Sequence, residues 1–337
     1  MANNCSNPQC QVAETGRCLE GFEEITECPT YNAAQIEPEE TTSEATPKAI
    51  QEYTDNSVNL LGQLTLDAEY TDTFLKKNGG RIIACVGPTN VGKTTLFASL
   101  YDLFLEGTVE QWHFGGSATI YPFEQLCHSA RASSKKKKAD TPRTFASEGL
   151  SFYHLALYSD SQPRVDLYLA DRAGEIYSKA ADSSDVCASL AEISRADTIL
   201  LLVDAESLID PSKKHLVKRQ TLSIVEAFST GNMLNKVTQI IVTLTKFDLA
   251  LAKGKDDEAT SEHSKIIAST REILGPKVIV SGEVIAARPE STQASKPGQG
   301  LPSLLNSLIL SAPPKREIYI QKPASSNRTF LNPEFAL

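Results

Sequence analysis

The chain has 337 residues, of which 41% are hydrophobic and 22% charged, a composition that suits one mid-sized globular domain with appendages and excludes wholesale disorder. Residues 1–56 hold 11 acidic and 2 basic residues, a net charge of -9, so residues 57–337 carry 31 of each sign. A neutral body lacks the basic face of a nucleic-acid binder, so nucleic acid is not an expected partner. No apolar run reaches the roughly 20 residues that span a bilayer, and the polar start lacks a signal-peptide pattern, so we expect a cytoplasmic protein without membrane insertion.

The first 30 residues form a cysteine-rich segment, with cysteines at Cys5, Cys10, Cys18 and Cys28. In a reducing compartment, four clustered thiolates predict a small module folded around one tetrahedral structural Zn²⁺. The spacing is not the usual C-x₂-C pair, and two disulfides are the alternative, which the missing export signal disfavours. Residues 31–56 are acidic and have no hydrophobic period, which predicts a flexible linker.

Residues 57–312 alternate between strand-like and helix-like segments. A helical preamble ends at Gly79-Gly80, and apolar strands are predicted over 81–87, 150–158, 164–171, 198–205, 239–248 and 277–282. Amphipathic helices are predicted between most of them and in LPSLLNSLIL. This order predicts an α/β fold with a mostly parallel sheet and helices on both faces, and the consecutive strands of 150–171 predict one antiparallel edge strand.

Two segments interrupt this alternation. Residues 108–149 are too long for a simple connection and contain four consecutive lysines at 135–138, which predict either a solvated loop tip or a contact for an acidic partner. Residues 313–337 are rich in Pro and Ser and predict a C-terminal tail. Cys85, Cys127 and Cys187 are isolated in the body and are interpreted as structural.

A phosphate-binding motif follows the first predicted strand. Residues 87–94 read GPTNVGKT, which matches G-x-x-x-x-G-K-[ST] between a strand and a helix. The glycines let backbone N–H groups surround phosphate oxygens at the positive end of the helix. Lys93 is expected to contact the β and γ phosphates and Thr94 to ligate Mg²⁺.

A second motif, DRAGE, closes the predicted strand at 164–171. Asp171 is expected to hold Mg²⁺ through water, and the N–H of Gly174 to sense the γ-phosphate. The third motif, Thr245-Lys246-Phe247-Asp248, closes the strand at 239–248. The three motifs in this order predict a P-loop nucleotide-binding domain.

The phosphate loop, DRAGE and TKFD together resemble the Ras-like and translation-factor-like GTPases of the TRAFAC class, over residues 80–312. The resemblance implies that Asp248 accepts hydrogen bonds from guanine while the stem of Lys246 packs along the base. It implies that the base contact from a turn after the next strand comes from Ser281 and Gly282. The nucleotide-binding residues that it implies are Gly87, Asn90, Val91, Gly92, Lys93, Thr94, Thr95, Gly174, Thr245, Lys246, Asp248, Ser281 and Gly282.

The resemblance also implies a catalytic and metal-binding set. The switch I threonine that closes over Mg²⁺ is Thr144 or Thr141, with Thr144 favoured by its shorter distance to the next strand. The neighbouring Arg143 is either a solvated surface residue or a donor to phosphate. Many relatives carry Gln where this chain has Glu175, and a carboxylate beside the γ-phosphate adds like-charge repulsion, so we expect slow hydrolysis or dependence on a partner. The catalytic residues are therefore Lys93, Glu175 and Thr144, and the Mg²⁺ ligands Thr94, Asp171 and Thr144.

The cysteine-rich head and the FGGSATIYPFEQL insert resemble a bacterial double-GTPase-like group found in multi-component conflict or defence operons. That resemblance implies a Mg²⁺-dependent GTP switch that works with co-encoded protein partners or effectors. Its two nucleotide states would order and release residues 108–149 and the segment after Asp171. A nucleotide-binding scaffold with negligible hydrolysis, favoured by Glu175, and a P-loop ATPase are the alternatives.

Overall fold

The computed structural model describes residues 64–130, 149–290 and 295–310, which all belong to the compact unit Asn59–Leu337. The predicted zinc module at 1–30, the linker at 31–56 and the tail at 313–337 lie outside the described residues. The lysine run at 135–138 and the switch candidates Thr141, Arg143 and Thr144 lie outside them too.

The described residues form one sheet of seven strands with helices around it. The strands are β1 (Arg81–Val86), β2 (His113–Gly116), β3 (Ser151–Ser159), β4 (Gln162–Asp171), β5 (Thr198–Asp204), β6 (Gln239–Thr245) and β7 (Ile279–Val284). The helices are α1 (Ala68–Asn78), α2 (Lys93–Leu105), α3 (Ile120–Ala130), α4 (Gly174–Ala180), α5 (Ser184–Ala188), α6 (Ala191–Arg195), α7 (Ala205–Ile209), α8 (Lys214–Thr230), α9 (Phe247–Ala252), α10 (Asp256–Leu274) and α11 (Leu301–Leu310).

The strand order is β2-β3-β4-β1-β5-β6-β7. The strands from β4 through β7 in this order pair in parallel, and β3 pairs antiparallel with β4. The prediction of a mostly parallel P-loop α/β sheet is therefore confirmed. The central strands are short apolar runs because both faces of a parallel sheet are covered.

Two hydrophobic clusters lie on opposite faces of the sheet. In β1, Ile82, Ala84 and Val86 belong to one cluster, and Ile83 and Cys85 to the other. This alternation follows from the two-residue period of a strand, and it places helices on both faces as predicted. The cysteines of the described body, Cys85, Cys127 and Cys187, are buried free thiols, in agreement with a structural role.

The first part of the segment predicted as a long insert is folded into the body. Its strand β2 pairs antiparallel with β3 and takes the edge of the sheet, so β3 is the antiparallel strand but not the edge strand. The ring of Phe123 in α3 is buried and stacks on Tyr101 of α2, with ring centroids 4.9 Å apart. Buried Trp112 donates from Nε1 to Asn306 Oδ1 at 2.8 Å. Residues 108–128 therefore pack onto the body through buried side chains such as Trp112 and Phe123, which corrects the expectation that the whole of 108–149 is a switching loop.

Buried His154 of β3 connects this insert to the sheet. The N–H of Ala118 donates to His154 Nδ1 at 2.9 Å, so Nδ1 is the acceptor and Nε2 carries the proton. His154 Nε2 therefore donates to Asp166 Oδ1, 2.8 Å away in β4. Arg164 contacts both oxygens of the same carboxylate, at 2.7 and 2.9 Å.

Asp166 is expected to make stability depend on acid pH. Burial alone would raise the pKa of this carboxyl, but the hydrogen bonds from His154 and Arg164 outweigh burial and lower the pKa to about 2. A lowered pKa means that the stabilisation is complete above the ordinary value near 4 and is lost as the pH falls toward about 2. We expect Asp166→Asn to lower the free energy of unfolding at pH 7 by roughly 1 to 2 kcal/mol, given that Arg164 is half exposed.

Urea unfolding of the wild type and the variant at pH 7 and pH 3 measures this effect. The difference between the two proteins should shrink at the lower pH. Asp160→Asn, at an exposed position in the turn between the same strands, is the matched control and should change little. An equal difference at both pH values would contradict the prediction.

Candidate functional site

The three sequence motifs meet at one edge of the sheet. The phosphate loop follows β1, DRAGE begins at the end of β4, and TKFD begins at the end of β6. These strands are parallel, so their carboxyl ends lie at the same edge, where open α/β sheets bind their ligands. The fold therefore brings the three motifs together as the sequence predicts.

The phosphate loop turns back on itself before α2 begins. Asn90 has φ 63° and Gly92 has φ 102°, both in the left-handed region. Glycine adopts this region without strain, and asparagine is one of the few other residues that occupy it. Lys93 is the first residue of α2, and Thr94 and Thr95 follow in the first turn. The loop therefore presents backbone N–H groups and the positive end of a 13-residue helix to the same point, which is the arrangement that holds phosphate.

The buried ammonium of Lys93 is held by the loop itself. Its Nζ donates to the carbonyl oxygens of Gly87 and Pro88, at 2.9 and 3.0 Å. Burial lowers the pKa of Lys93, and the negative charges of Asp171 and Glu175 oppose that shift. A bound phosphate group that replaced the two neutral carbonyls would give this ammonium a negatively charged hydrogen-bond acceptor.

Gly174 lies directly against the phosphate loop. A Cβ built on Gly174 would be 2.4 Å from the backbone nitrogen of Thr89 and 2.5 Å from the carbonyl carbon of Pro88. Only glycine allows this approach, because both atoms are backbone and cannot move aside cheaply. Asp171 is buried at the end of β4 and Glu175 lies in the first turn of α4, so Gly174 falls between these two carboxylates in the sequence.

Arg172 holds the DRAGE segment to α6, a role that the sequence analysis missed. Its Nε and Nη2 donate to the two carboxylate oxygens of Glu192, at 2.6 and 3.0 Å. Glu192 is fully buried and also accepts from the hydroxyl of Tyr177 at 3.2 Å. The sequence shows an arginine at a strand end and a glutamate twenty residues later, but no spacing rule predicts that these two residues form an ion pair.

The TKFD segment is attached to the phosphate loop. The hydroxyl of Thr245 donates to the carbonyl of Val91 at 2.7 Å. Lys246 adopts φ 54°, which turns the chain from β6 into α9, and its Nζ forms an ion pair with Asp204 at 2.9 Å. The strand therefore ends at Thr245, and Asp248 lies in the first turn of a short helix rather than at the end of the strand.

Asp248 is 5% exposed, and its Oδ2 accepts a hydrogen bond from the N–H of Glu290 at 3.1 Å. Burial raises the pKa of this carboxyl, although the N–H donors around it act in the opposite direction. Glu290 lies in the segment 285–290, which follows β7 and is called the turn at 285–290 below. A partly desolvated carboxylate at this edge is suited to a ligand that brings two hydrogen-bond donors.

Ser281 and Gly282, expected in that turn, lie elsewhere. They are within β7, where they pair with Ile241 and Val242 of β6. The strand continues to Val284, so neither residue reaches the carboxyl edge. The structure gathers the other predicted nucleotide residues at this edge and does not bring Ser281 and Gly282 there.

The oxygen donors of Thr94 and Asp171 come from the first turn of α2 and the end of β4. A hydroxyl and a carboxylate are hard donors of the kind that Mg²⁺ takes, so this pair fits the ion that the sequence predicts. Within residues 64–130, 149–290 and 295–310, no group of three or more His, Cys, Asp or Glu is arranged to hold a metal. No helix in that part of the chain is long and apolar enough to cross a membrane.

Comparisons with known proteins give a family and a distant structural neighbour. No curated protein matches this chain significantly. The GTPase-like domain of S. cerevisiae Ski7, solved with GTP bound, matches with 14% sequence identity and a TM-score of 0.37, over 74% of this chain and 54% of that one. This chain thus spans about half the length of that structure. The model of the Double-GTPase 2 family matches residues 81–309, more than half of the chain, and the chain therefore belongs to this family of TRAFAC-type GTP-binding proteins.

Proposed function

We propose that this protein is a Mg²⁺-dependent guanine-nucleotide switch that binds GTP at the carboxyl edge of the sheet and hydrolyses it slowly without a partner. The hydrogen bond from Thr245 to the carbonyl of Val91 carries the proposal. This bond joins the TKFD segment, which is assigned to the base, to the phosphate loop. The fold therefore fixes the distance between the base-binding and phosphate-binding parts of the site. That fixed distance supports a nucleotide lying across the edge with its phosphates at the start of α2.

At the phosphate end, the loop N–H groups and Lys93 bind the β and γ phosphates, with Lys93 exchanging the carbonyls of Gly87 and Pro88 for phosphate oxygens. Thr94 and Asp171 are the described residues that would hold Mg²⁺, and Thr144 or Thr141 would join them. The ion would neutralise charge on the β and γ phosphates. Gly174 can lie against the phosphate loop because it has no Cβ, and its N–H is the group that senses the γ-phosphate.

At the base end, Asp248 accepts from the N1–H and 2-amino groups of guanine, and the stem of Lys246 packs along the ring. Adenine does not present this pair of donors, so Asp248 favours guanine nucleotides over adenine nucleotides. Because Ser281 and Gly282 lie inside β7, we assign the remaining base contact to the turn at 285–290.

The experiment that tests this function is a titration of the purified chain with fluorescent GTP, GDP and ATP in the presence of Mg²⁺, followed by a phosphate-release assay. We expect guanine nucleotides to bind and ATP to bind far more weakly. Equal or tighter binding of ATP would remove the base-recognition argument and leave a P-loop ATPase. Binding of GTP without detectable phosphate release would instead favour the alternative of a nucleotide-binding scaffold with negligible hydrolysis.

The scaffold is the second candidate because of Glu175. This carboxylate occupies the position where many GTPases carry a water-orienting Gln, and its charge is close enough to Lys93 to influence the pKa of that residue. A negative charge near the γ-phosphate opposes the approach of the attacking water unless Lys93 or Mg²⁺ offsets it. A protein of this kind binds nucleotide for stability and signals without turnover.

Substitution of Glu175 tests whether this carboxylate opposes or supports hydrolysis. If Glu175 is not a general base, Glu175→Gln should hydrolyse GTP in a single turnover at a rate equal to or above that of the wild type. A general base supplies on the order of 100-fold or more, so a loss of that size in the variant would identify Glu175 as an effective catalyst. Glu272→Gln, on the distant helix α10, is the control for the change of charge.

Two further assignments rest on the sequence alone, the first on the family resemblance and the second on the clustered cysteines. We propose that the switch works with co-encoded protein partners in a multi-protein bacterial conflict or defence system, in the cytoplasm. We also propose that Cys5, Cys10, Cys18 and Cys28 hold one structural Zn²⁺. Metal analysis of the full chain before and after Cys10→Ser and Cys28→Ser tests the second assignment, since loss of one equivalent of zinc is expected.

A further inference from the structure

The turn at 285–290 is attached to the base side of the site at both ends. At its start, the carbonyl of Ile285 accepts from the N–H of Phe247 at 3.2 Å. At its end, the N–H of Glu290 donates to Asp248 Oδ2 at 3.1 Å. Both partners belong to the first turn of α9. The position of this turn therefore sets the orientation of the Asp248 carboxylate.

The side chain of Arg288 extends from the same turn to α2, the helix that begins in the phosphate loop. Its Nε donates to the hydroxyl of Ser99 at 3.2 Å, and its Nη2 forms an ion pair with the carboxylate of Asp102. Ser99 is buried, and the side chains of Arg288 and Asp102 are 21% and 29% exposed. A charge-assisted bond in such a partly desolvated place is stronger than a surface pair.

The bond from Glu290 leaves room for a base. A carboxylate has about four lone-pair sites. The N–H of Glu290 occupies one, and the backbone N–H groups of Asp248 and Leu249 also act on this carboxylate, so the two donors of guanine use the remaining site and displace the weaker of these local contacts. Holding the carboxylate in one rotamer before binding reduces the entropy that binding must remove. The Glu290 N–H holds it only while the turn itself stays in place, and Arg288 is the side chain that joins this turn to α2.

We propose that Arg288 is a positioning residue for guanine recognition. Backbone hydrogen bonds with Leu244, Gln299 and Gly298 hold residues 285–287. Through Asp102 and Ser99, Arg288 fixes the second half of the turn, and that half holds the Asp248 carboxylate in the orientation that receives the base. The same guanidinium joins the base end of the site to the helix of the phosphate end. This inference rests on the proposed guanine-nucleotide function and adds a specificity-determining residue to it.

The test measures how fast fluorescent GDP dissociates and how strongly the protein prefers GDP over IDP, which lacks the 2-amino group that Asp248 accepts. Arg288→Ala is expected to accelerate dissociation about tenfold and to reduce the GDP over IDP preference. Asp102→Asn should produce the same two changes. The double variant should exceed neither single variant, because both residues act through one ion pair. Arg288→Lys should restore part of the preference, since it keeps the charge but loses the planar geometry.

Arg271→Ala is the matched control. This arginine also attaches an element to β7, by donating to the carbonyl of Val280 at 2.9 and 3.1 Å, but it lies away from the turn. We expect it to lower thermal stability and leave the GDP over IDP preference unchanged. If Arg288→Ala and Asp102→Asn also lower stability only, Arg288 is structural and the inference is wrong. A wild-type protein that binds no GDP would overturn the proposed function itself, which is a different result.

Discussion

Replacing Asp248 by asparagine is expected to lower the affinity for GDP and GTP at least about 100-fold and to shift the preference toward xanthine nucleotides. Each hydrogen bond to a charged group contributes about 1.5 to 3 kcal/mol, and the variant loses the charge behind two of them. An amide offers one acceptor and one donor, whereas guanine presents two donors. Xanthine carries an oxygen at C2, which can accept from the new amide.

Competition of GDP, XDP and ADP against fluorescent GDP measures this shift in both proteins. Asp257→Asn, at an exposed position in the first turn of α10, removes the same charge outside the site and should leave all three affinities unchanged. Unaltered GDP affinity in the Asp248→Asn protein would show that this carboxylate does not face the base.

The same substitution is expected to stabilise the nucleotide-free protein, which distinguishes lost recognition from misfolding. Burial raises the pKa of Asp248, so the folded state favours its neutral form. The stability contributed by this group is present below the ordinary pKa, near 4, and is lost as the pH rises through the raised value. At pH 7 the asparagine variant should therefore unfold at a temperature equal to or above that of the wild type. A marked fall would mean that the lost affinity reflects a damaged fold.

The parts of the site that the sequence predicts are those where local chemistry decides the structure. β1, β5 and β6 are apolar runs that end where a polar motif begins, because the central strands of a parallel sheet are buried on both faces. The phosphate loop is likewise local, since the left-handed φ of Gly92 and the close approach of Gly174 depend on glycine. Such features follow from residue type and spacing.

The parts that the sequence does not predict depend on distant partners. β2 reads HFGG, which has little intrinsic strand preference, and it forms a strand because it pairs with β3. β7 is an edge strand whose Ile279 is 65% exposed, so its polar second half does not look like a buried run. The predicted strand therefore ended at Gly282, two residues before the observed end of β7, and the family resemblance then assigned the base contact to Ser281 and Gly282 at that end. The contact of Arg288 with Ser99 of α2 joins residues 189 positions apart, so no local sequence pattern indicates it.

The ion pair between Arg172 and Glu192 is the contact of this long-range kind whose loss should cost the most stability. Arg172→Met is expected to lower the free energy of unfolding by about 3 kcal/mol, because it removes the cation that pairs with the fully buried Glu192 carboxylate and leaves it, among the described residues, the hydroxyl of Tyr177. In a domain of this size that loss lowers the melting temperature by roughly 10 °C. Thermal unfolding of the nucleotide-free protein measures it.

Two further variants define the cause. Arg172→Met with Glu192→Leu should recover most of the loss, since apolar side chains of similar volume commonly replace a buried pair at little cost. Arg195→Ala, on the same helix α6 as Glu192, breaks the partly exposed pair with Asp72 of α1 and should cost less than about 1 kcal/mol. A small effect of Arg172→Met, equal to that of Arg195→Ala, would contradict the assignment.

Because Arg172 follows Asp171 and precedes Gly174, we also expect Arg172→Met to weaken the distinction between GTP and GDP more than the affinity for GDP. In the proposed function, the carboxylate of Glu192, by holding Arg172, would also set the position of the segment assigned to sensing the γ-phosphate.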